Sequence, residues 1–243
     1  MKPIQVLFIT TSHDQLGDTA YKTGVWLEEL AAPYYFFKEA GAEITIASPK
    51  GGRVPLDPKS QSIIVATRHT KRFLKDVEAM NFLAHSLLLE DVVAADFDLV
   101  FLPGGHGPMW DLAGNNTLKQ LLETFNSENK PIGAVCHGVV GLINLLNDIG
   151  EPFIKGKQLT CFSDTEEASR GLSQVVPFLL ESKVRTMGAL FSKGPDYVSH
   201  VVVDGNIVTG QNPASSEEVA KKTLAKVKQS SSLPVYFNPS LIE

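Results

Sequence analysis

Short apolar runs alternate with longer amphipathic stretches along most of the chain, and this alternation restricts the fold more than any other feature. Gln5–Thr10, Glu43–Ser48 and Asp98–Leu102 have the residues of buried strands, and a helix-like segment follows the first of them between Thr23 and Gly41. This order is typical of a parallel sheet covered by helices. The sequence therefore predicts an α/β fold, a flavodoxin-like sandwich of a parallel sheet with helices on both faces.

The rest of the chain continues this pattern with one interruption. We predict helices over 107–126, from Cys136 to 147, from Ser163 or Asp164, over 175–187 and over 215–228, strands over 132–135 and 158–162, a strand pair around 204–206, and an irregular tail. Pro33 is expected to interrupt the first helix, because proline lacks the amide hydrogen. The pattern lapses between residues 49 and 96, which we interpret as an insertion or lid within a single domain of residues 1–243.

Composition narrows the class of protein. Of the 243 residues 43% are hydrophobic and 20% charged, which is ordinary for a soluble globular domain, and the net charge is −5. No basic block indicates nucleic acid as a partner, and no apolar run reaches the 18 or more residues of a membrane span. The start has no signal-peptide pattern, so we expect a cytoplasmic protein with both cysteines, Cys136 and Cys161, reduced.

The segment Pro131–Gly138 has the features of a nucleophile turn. Small and apolar residues end abruptly on Cys136, and helix-like apolar spacing begins directly after it. A thiol at a helix start commonly has a lowered pKa, and the next residue, His137, is a candidate proton acceptor. The alternative is that Cys136 is a small core residue, since free cysteines are often buried.

Other polar residues follow neighbouring strands of the predicted sheet. In open α/β sheets the active crevice lies beyond the carboxyl ends of the strands. Gly104 and Gly105 would expose amides there, and with the amide of His137 they could form an oxyanion hole, with His106 beside it. The alternative is a glycine turn with no role beyond its geometry. The six histidines show no paired ligand spacing, so we predict no metal site.

Three phrases carry a resemblance to a known family. They are Phe-Leu-Pro-Gly-Gly-His-Gly at 101–107, Ala-Val-Cys-His-Gly at 134–138 and Thr-Gly-Val-Trp-Leu-Glu-Glu-Leu at 23–30, with Val-Thr-Gly-Gln-Asn-Pro-Ala-Ser at 208–215 near the end. Together they resemble the ThiJ/PfpI superfamily, which has the class I glutamine amidotransferase-like fold. Within it the chain is similar to the branch of heat-shock chaperones with glutathione-independent glyoxalase (glyoxalase III) activity.

The resemblance implies a set of catalytic residues. Cys136 matches the family nucleophile, His137 its neighbouring histidine, and Glu29 the carboxylate that lies against the sulfur. Glu167 fits the third acidic position, with Glu166 as the alternative. Cys161 stands where the branch often has glycine, and it is either a second thiol near the site or a buried strand residue.

The resemblance also implies an activity. We expect a cofactor-free conversion of methylglyoxal, a small 2-oxoaldehyde, to D-lactate through a hemithioacetal on Cys136, in a homodimer. Removal of methylglyoxal adducts from glycated proteins or nucleotides, amide hydrolysis, a stress chaperone that binds unfolded proteins, and an oxidant sensor remain open. Glutamine hydrolysis is not expected, because two motifs of class I glutamine amidotransferases are absent. Ala134 replaces the first glycine of Gly-x-Cys-x-Gly, and His200 is followed by two valines, so it does not form a His-x-Glu pair.

Overall fold

The computed structural model describes residues 2–230, and within them seven strands form one sheet and two form a small separate sheet. The predicted irregular tail lies outside the described residues. The strands are Gln5–Ile9 (β1), Glu43–Ser48 (β2), Leu87–Leu88 (β3), Leu99–Leu102 (β4), Ile132–Val135 (β5), Gln158–Leu159 (β6), Leu190–Phe191 (β7), Val201–Asp204 (β8) and Ile207–Gly210 (β9).

The large sheet has the order β3-β2-β1-β4-β5-β9-β8, and β8 alone runs antiparallel to its neighbour. Eight helices accompany the strands: Leu27–Glu39 (α1), Arg68–Phe73 (α2), Val77–Ala84 (α3), Pro108–Asp111 (α4), Asn116–Ser127 (α5), Asp164–Ser169 (α6), Leu180–Thr186 (α7) and Ser216–Ser230 (α8). Short 3₁₀ segments cover Pro58–Gln61, Leu89–Asp91, Ala94–Asp96, Cys136–Leu142 and Pro213–Ser215. The predicted α/β class is confirmed for residues 2–230.

Both faces of the sheet are buried, which explains why the central strands are apolar without alternation. Along β1, Val6 and Phe8 pack into the cluster that contains α1 and α8. Leu7 and Ile9 face the opposite cluster, which contains the apolar side of α5. Successive strand residues point to opposite faces, so a strand between two helical layers needs apolar residues at every position.

The first helix differs from its prediction in two respects. It begins at Leu27 rather than near Thr23, because Gly24 has φ +155° and Val25 pairs with Leu56 in a bridge. It also continues through Pro33, so the predicted interruption is wrong. Nine of its thirteen residues are buried, and this packing outweighs the one hydrogen bond that proline removes.

Three further predicted elements are shorter than expected. The stretch 107–126 forms two helices, since the side chain of Asn115 caps a new helix by accepting a 2.9 Å hydrogen bond from Leu118. The helix predicted from 175 begins at Leu180, because Pro177 disfavours helical backbone before it. The predicted strand 158–162 is only β6, and it pairs with β7 because β9 occupies the place beside β5.

The segment 49–96 contributes to the sheet as well as to its surroundings. It contains α2, α3 and three 3₁₀ segments, and its strand β3 extends the sheet by pairing with β2. Its role as an insertion or lid stays a prediction. Among the described residues, no helix is long and apolar enough to span a membrane.

The strand order indicates which end of the sheet is suited to a ligand-binding site. The chain leaves β1 toward β2 on one side, whereas β4 and β5 lie on the other side of β1. Ligands of open α/β sheets bind in the crevice at such a switch point, beyond the carboxyl ends of the strands. The ends of β4 and β5 therefore meet α1 at this crevice.

The turn after β5 passes very close to the end of β4. A Cβ atom on Gly138 would lie only 2.2 Å from the carbonyl oxygen of Leu102, so the backbone there has no room for a side chain. The segment Cys136–Leu142 is a 3₁₀ helix and not the longer helix predicted to 147. A tight turn with glycines at 138 and 141 fits this close approach better than an α-helix does.

We expect Gly138→Ala to lower the free energy of unfolding by about 1–3 kcal/mol, because the added methyl group must displace backbone atoms. Gly114→Ala is the matched control, since a Cβ at Gly114 would meet nothing within 4 Å. That variant should be unchanged or more stable by about 0.4–1 kcal/mol. Urea unfolding of both variants and the wild type measures the difference, and equal stability of the two variants would contradict the close approach.

Candidate active site

Cys136 lies directly after β5 in a backbone conformation that is rare for a residue with a side chain. Its φ is +58°, in the left-handed region, and the sulfur is almost completely buried at 3% exposure. Such strained residues cluster at active sites, and a sharp turn between strand and helix presents a nucleophile at the sheet edge. The geometry matches the nucleophile turn that the sequence predicts.

His137 connects the sulfur to a carboxylate. Its Nδ1 lies 3.4 Å from Sγ of Cys136, and its Nε2 lies 2.6 Å from Oε2 of Glu167 on α6. The other oxygen of Glu167 lies 2.8 Å from Nε2 of His106. One carboxylate thus holds two imidazoles, whose ring centres are 4.3 Å apart.

The protonation states of this group follow from its surroundings. Burial alone would raise the pKa of Glu167, but the charge that His137 carries when it is protonated, together with hydrogen bonds from both imidazoles, holds that pKa well below its usual range. Burial and the neighbouring His106 lower the pKa of His137, against the pull of Glu167. An ionised carboxylate only accepts hydrogen bonds, so Nε2 of each histidine carries a proton and Nδ1 of neutral His137 presents its lone pair to Sγ.

Glu29 approaches the sulfur from α1. It is completely buried, and its Oε2 accepts a 2.7 Å hydrogen bond from the amide of Gly104. Its carboxyl group also contacts Cys136, while Oε1 has no hydrogen bond among the described residues. Burial raises the pKa of Glu29 to about 8, although the contacts with Cys136 and Gly104 oppose this change.

The predicted lowering of the Cys136 pKa is wrong. Burial raises the pKa of this thiol well above its usual value, and the adjacent Glu29 raises it further. The prediction assumed a thiol at the start of an α-helix, whereas Cys136 begins a short 3₁₀ segment and is buried. A thiol in these surroundings holds its proton until a neighbouring base such as His137 takes it.

The loop 104–106 lies beside Cys136, and its role as an oxyanion hole stays a prediction. Gly104 donates its amide to Glu29, so this amide is no longer available to a substrate oxygen. Gly105 and His106 line the cavity beside Cys136. Gly105 has φ +91°, and a Cβ there would lie 2.3 Å from the carbonyl oxygen of Gly24, so only glycine fits.

The structure distinguishes the two acidic residues in each neighbouring pair, Glu28 and Glu29 on α1 and Glu166 and Glu167 on α6. Glu166 contacts neither His137 nor Cys136 through its hydrogen bonds, because its side chain accepts from Ser163, Tyr197 and Asn212. Glu28 turns away from the site toward Thr67 and His69. Of these four residues, Glu29 contacts the sulfur of Cys136 and Glu167 contacts His137.

The second thiol lies apart from this group. Cys161 is fully buried in the cluster on the opposite face of the sheet, and its Sγ contacts the carbonyl oxygen of Phe162 at 3.5 Å. It does not line the cavity beside Cys136. Both cysteines are free thiols in the structure.

A small cavity opens onto Cys136. It has about 30 Å³ of room for water centres, whereas one water needs roughly 10–15 Å³ on this measure. Its wall is mostly apolar, and the lining residues that sequence reasoning missed are Leu16, Lys22, Trp26, Asp57, Lys59, Phe162, Arg170, Leu172 and Pro213. Trp26 and Pro213 lie inside the quoted family phrases, but nothing in the local sequence marked the charged ones.

Three neighbouring side chains of this site have the composition of a metal site. His106, His137 and Glu167 offer ligand atoms within 4.8 Å of one another. Both oxygens of Glu167 already accept hydrogen bonds from these imidazoles, which accounts for the cluster without an ion. The absence of a metal from the working protein stays a prediction.

Comparisons with known proteins identify relatives of this chain. Glutathione-independent glyoxalase hsp3101 of Schizosaccharomyces pombe is 32% identical over 219 residues, which are 86% of this chain and 88% of that protein. The crystal structure of glyoxalase III from Candida albicans is 28% identical with a TM-score of 0.85, covering 92% of this chain and 97% of that one. Rapid Encystment Protein 24 kDa of Francisella tularensis is 38% identical with a TM-score of 0.88, covering 92% and 99%.

The family resemblance drawn from the sequence phrases is thereby confirmed, including its similarity to glutathione-independent glyoxalases. A family model matches the chain from residue 21 to residue 226, which includes Glu29, Cys136, His137 and Glu167. The chain belongs to the DJ-1/PfpI family.

Proposed function

We propose that the protein is a glutathione-independent glyoxalase that converts methylglyoxal and water to D-lactate. The observation that carries the proposal is the alignment of Sγ of Cys136, Nδ1 of neutral His137 and ionised Glu167 at one side of a small cavity. Relatives named as glutathione-independent glyoxalases, at about 30% identity, support the same activity.

The first step is addition of the thiol to the aldehyde carbon of methylglyoxal. Nδ1 of His137 takes the thiol proton as the carbon–sulfur bond forms, and the aldehyde oxygen becomes an oxyanion. The amides of Gly105 and His137, two residues that line the cavity, are our candidates for stabilising this charge. The proton then passes from His137 to the oxyanion, and a neutral hemithioacetal results.

The second step moves a proton between the two carbons. A base removes the proton from the former aldehyde carbon, and the neighbouring carbonyl oxygen is protonated to give an enediol. A proton then returns to the second carbon while the hydroxyl on the first carbon gives up its proton to the base, which leaves a thioester. Glu29 and His137 are the two groups that can exchange these protons. A pKa of about 8 suits Glu29 for this work, because general acid–base catalysis is most efficient near the working pH.

The third step releases the product. Water adds to the thioester carbon, the carbon–sulfur bond breaks, and lactic acid and the free thiol result. The electrons that reduce the ketone carbon come from the aldehyde carbon, so atoms and electrons balance without a redox cofactor. Ionised Glu167 holds His137 in the tautomer that can activate this water.

The size of the cavity favours a small substrate over a large one. Room for about two water molecules accommodates the reacting carbons of methylglyoxal but not a folded polypeptide. The apolar wall excludes bulk water from the thioester until it has formed. An adduct hydrolase or a chaperone would instead need a wide opening next to Cys136.

Cys136→Ala is expected to abolish D-lactate production from methylglyoxal without glutathione, because no other group can form the hemithioacetal. Cys161→Ala is the matched control, since this thiol lies outside the cavity and should leave turnover within about twofold. D-lactate is measured with purified, reduced protein. Wild-type turnover in Cys136→Ala would refute the proposed mechanism, and none in the wild type would refute the function.

Glu167→Gln and Glu166→Gln should differ in their effect on kcat. The first variant removes the charge that holds His137, so kcat should fall by about 10²–10⁴, and Tm should also fall because the ionised carboxylate stabilises the fold. The second perturbs hydrogen bonds to Ser163, Tyr197 and Asn212, so Tm should fall while kcat of the folded protein stays close to normal. Kinetics and thermal unfolding on the same samples test both, and equal kcat losses would contradict the assignment of Glu167.

Glu29→Gln should change how stability depends on pH. The pKa of Glu29 is about 8 in the folded protein against 4.5 in the unfolded chain, so between these values only the folded state holds the proton. The wild type therefore loses about 1.4 kcal/mol of stability per pH unit as the pH rises through this window, and the loss ends above pH 8. Glu29→Gln lacks this loss.

The free energy of unfolding of Glu29→Gln, relative to the wild type, should therefore increase by about 2–4 kcal/mol from pH 5 to pH 8. Urea unfolding at intervals of one pH unit measures it. The comparison between the two proteins cancels the contributions of other titrating groups. A difference that stays constant over this range would mean that Glu29 is already ionised in the folded protein.

A further inference from the structure

Arg170 stands at the end of α6 and lines the cavity that contains Cys136. Its guanidinium carbon lies 5.3 Å from the ring centre of Trp26 and 5.1 Å from that of Tyr197. Glu167 precedes it by three residues, so the same helix turn delivers the carboxylate to His137 and the guanidinium to the mouth of the cavity. The position of Arg170 is thus tied to the catalytic group.

The guanidinium has no carboxylate partner in the part of the chain that the structure describes. Glu167, at the spacing that allows an ion pair on a helix, gives both oxygens to His106 and His137 instead. Arg170 is also exposed and lines the cavity, and its five N–H donors have no hydrogen-bond partner among the described residues. A cation that aromatic rings hold and no acid neutralises is suited to bind an anionic ligand.

Tyr197, one of the two rings beside the guanidinium, is held in place by hydrogen bonds to buried Glu166. Tyr197 has φ +61°, a strained value for a residue with a side chain. Buried Glu166 accepts a 2.8 Å hydrogen bond from the amide of Tyr197, and the Tyr197 hydroxyl contacts Ser169 and the Glu166 carbonyl oxygen. The residue before the catalytic acid therefore fixes the ring on which Arg170 rests.

The rim of the cavity is more positive than the chain as a whole, whose net charge is −5. Lys22 and Lys59 line it together with Arg170. Lys22 is paired with Asp14 at 2.8 Å, whereas Lys59 forms no ion pair among the described residues. Asp57 is the one further acid on the wall besides Glu29, which holds its proton at neutral pH.

Arg170 also borders a second cavity. This neighbouring space of about 250 Å³ shares Trp26, Arg170 and Pro213 with the cavity at Cys136, and its wall continues through Tyr197 and Asn212. The two cavities share these residues, so a substrate longer than methylglyoxal that reaches the sulfur from the second cavity would pass next to Arg170. Glu28 also lines the second cavity, where its carboxylate is hydrogen-bonded to Thr67 and His69.

We infer that Arg170 is a specificity-determining residue for 2-oxoaldehydes that carry an acidic group on the carbon remote from the aldehyde. The inference rests on the proposed function. The guanidinium pairs with the carboxylate or phosphate of such a substrate while the aldehyde reaches Cys136, and the fork of N–H donors matches either anion. Methylglyoxal lacks this group and gains nothing from Arg170.

A suitable probe is 4,5-dioxopentanoate, in which a carboxylate ends the chain. Sγ of Cys136 adds to its aldehyde carbon, the proton moves to the ketone carbon, and water releases 2-hydroxyglutarate. The overall reaction adds one water and needs no oxidant, as for methylglyoxal. The distal carboxylate takes no part in the chemistry, so it reports binding alone.

Kinetics of Arg170→Gln with both substrates test the inference. The kcat/KM for 4,5-dioxopentanoate should fall by at least about tenfold, mostly through KM, and that for methylglyoxal should change less than about twofold. Arg170→Lys should recover part of the loss. Arg185→Gln is the matched control, since Arg185 rests on Phe191 outside the cavity and pairs with Glu181.

Equal losses on the two substrates in Arg170→Gln would overturn the inference, as would a wild type that shows no preference for the charged substrate. Calorimetric titration with 2-hydroxyglutarate separates this outcome from failure of the proposed function. Binding that weakens about tenfold in Arg170→Gln, but not in Arg185→Gln, supports the anion subsite even where neither substrate turns over. Equal binding by all three proteins refutes it.

Discussion

The parallel pairing of β1, β4 and β5 is the constraint on which the site depends. Their register places the turns that follow β4 and β5 side by side, so close that the turn after β5 needs glycine at 138 beside Leu102. The buried carboxyl of Glu29 then joins α1 to both turns, through the amide of Gly104 and the sulfur of Cys136. Because backbone spacing in a sheet is rigid, these groups are held in place before any substrate arrives.

Two carboxyl groups in this site have opposite protonation states for physical reasons that the structure makes explicit. Glu29 is completely buried with one amide donor and a sulfur neighbour, so its pKa rises to about 8. Glu167 has a donor at each oxygen, and the charge of His137 when protonated, together with these hydrogen bonds, outweighs the cost of its burial. Such divergence separates acid–base roles in many enzymes. In the proposed mechanism, proton exchange belongs to Glu29 and orientation of His137 belongs to Glu167.

The sequence allowed good prediction of the features that depend on local pattern. The central strands, the turn at Cys136 and the family phrases need only short stretches of chain. The failures concern tertiary effects. Packing carries α1 through Pro33, and the predicted strand 158–162 shortens to β6 in a separate sheet, where it pairs with β7. The thiol pKa was also mispredicted, because the position of Glu29 against a buried sulfur is not visible in local sequence. Arg170 had no local signal for the same reason.

Glu166 and Glu167 show why the contacts of adjacent residues are difficult to predict from sequence. Adjacent residues on a helix point about 100° apart, so α6 sends one carboxylate toward His137 and the other toward Tyr197. Neither can replace the other without rotation of the helix, which the Ser163 cap prevents by fixing its first turn. The same short helix therefore fixes both the orientation of His137, through Glu167, and the position of Tyr197 beside the cavity, through Glu166. A change that rotates α6 should disturb both together.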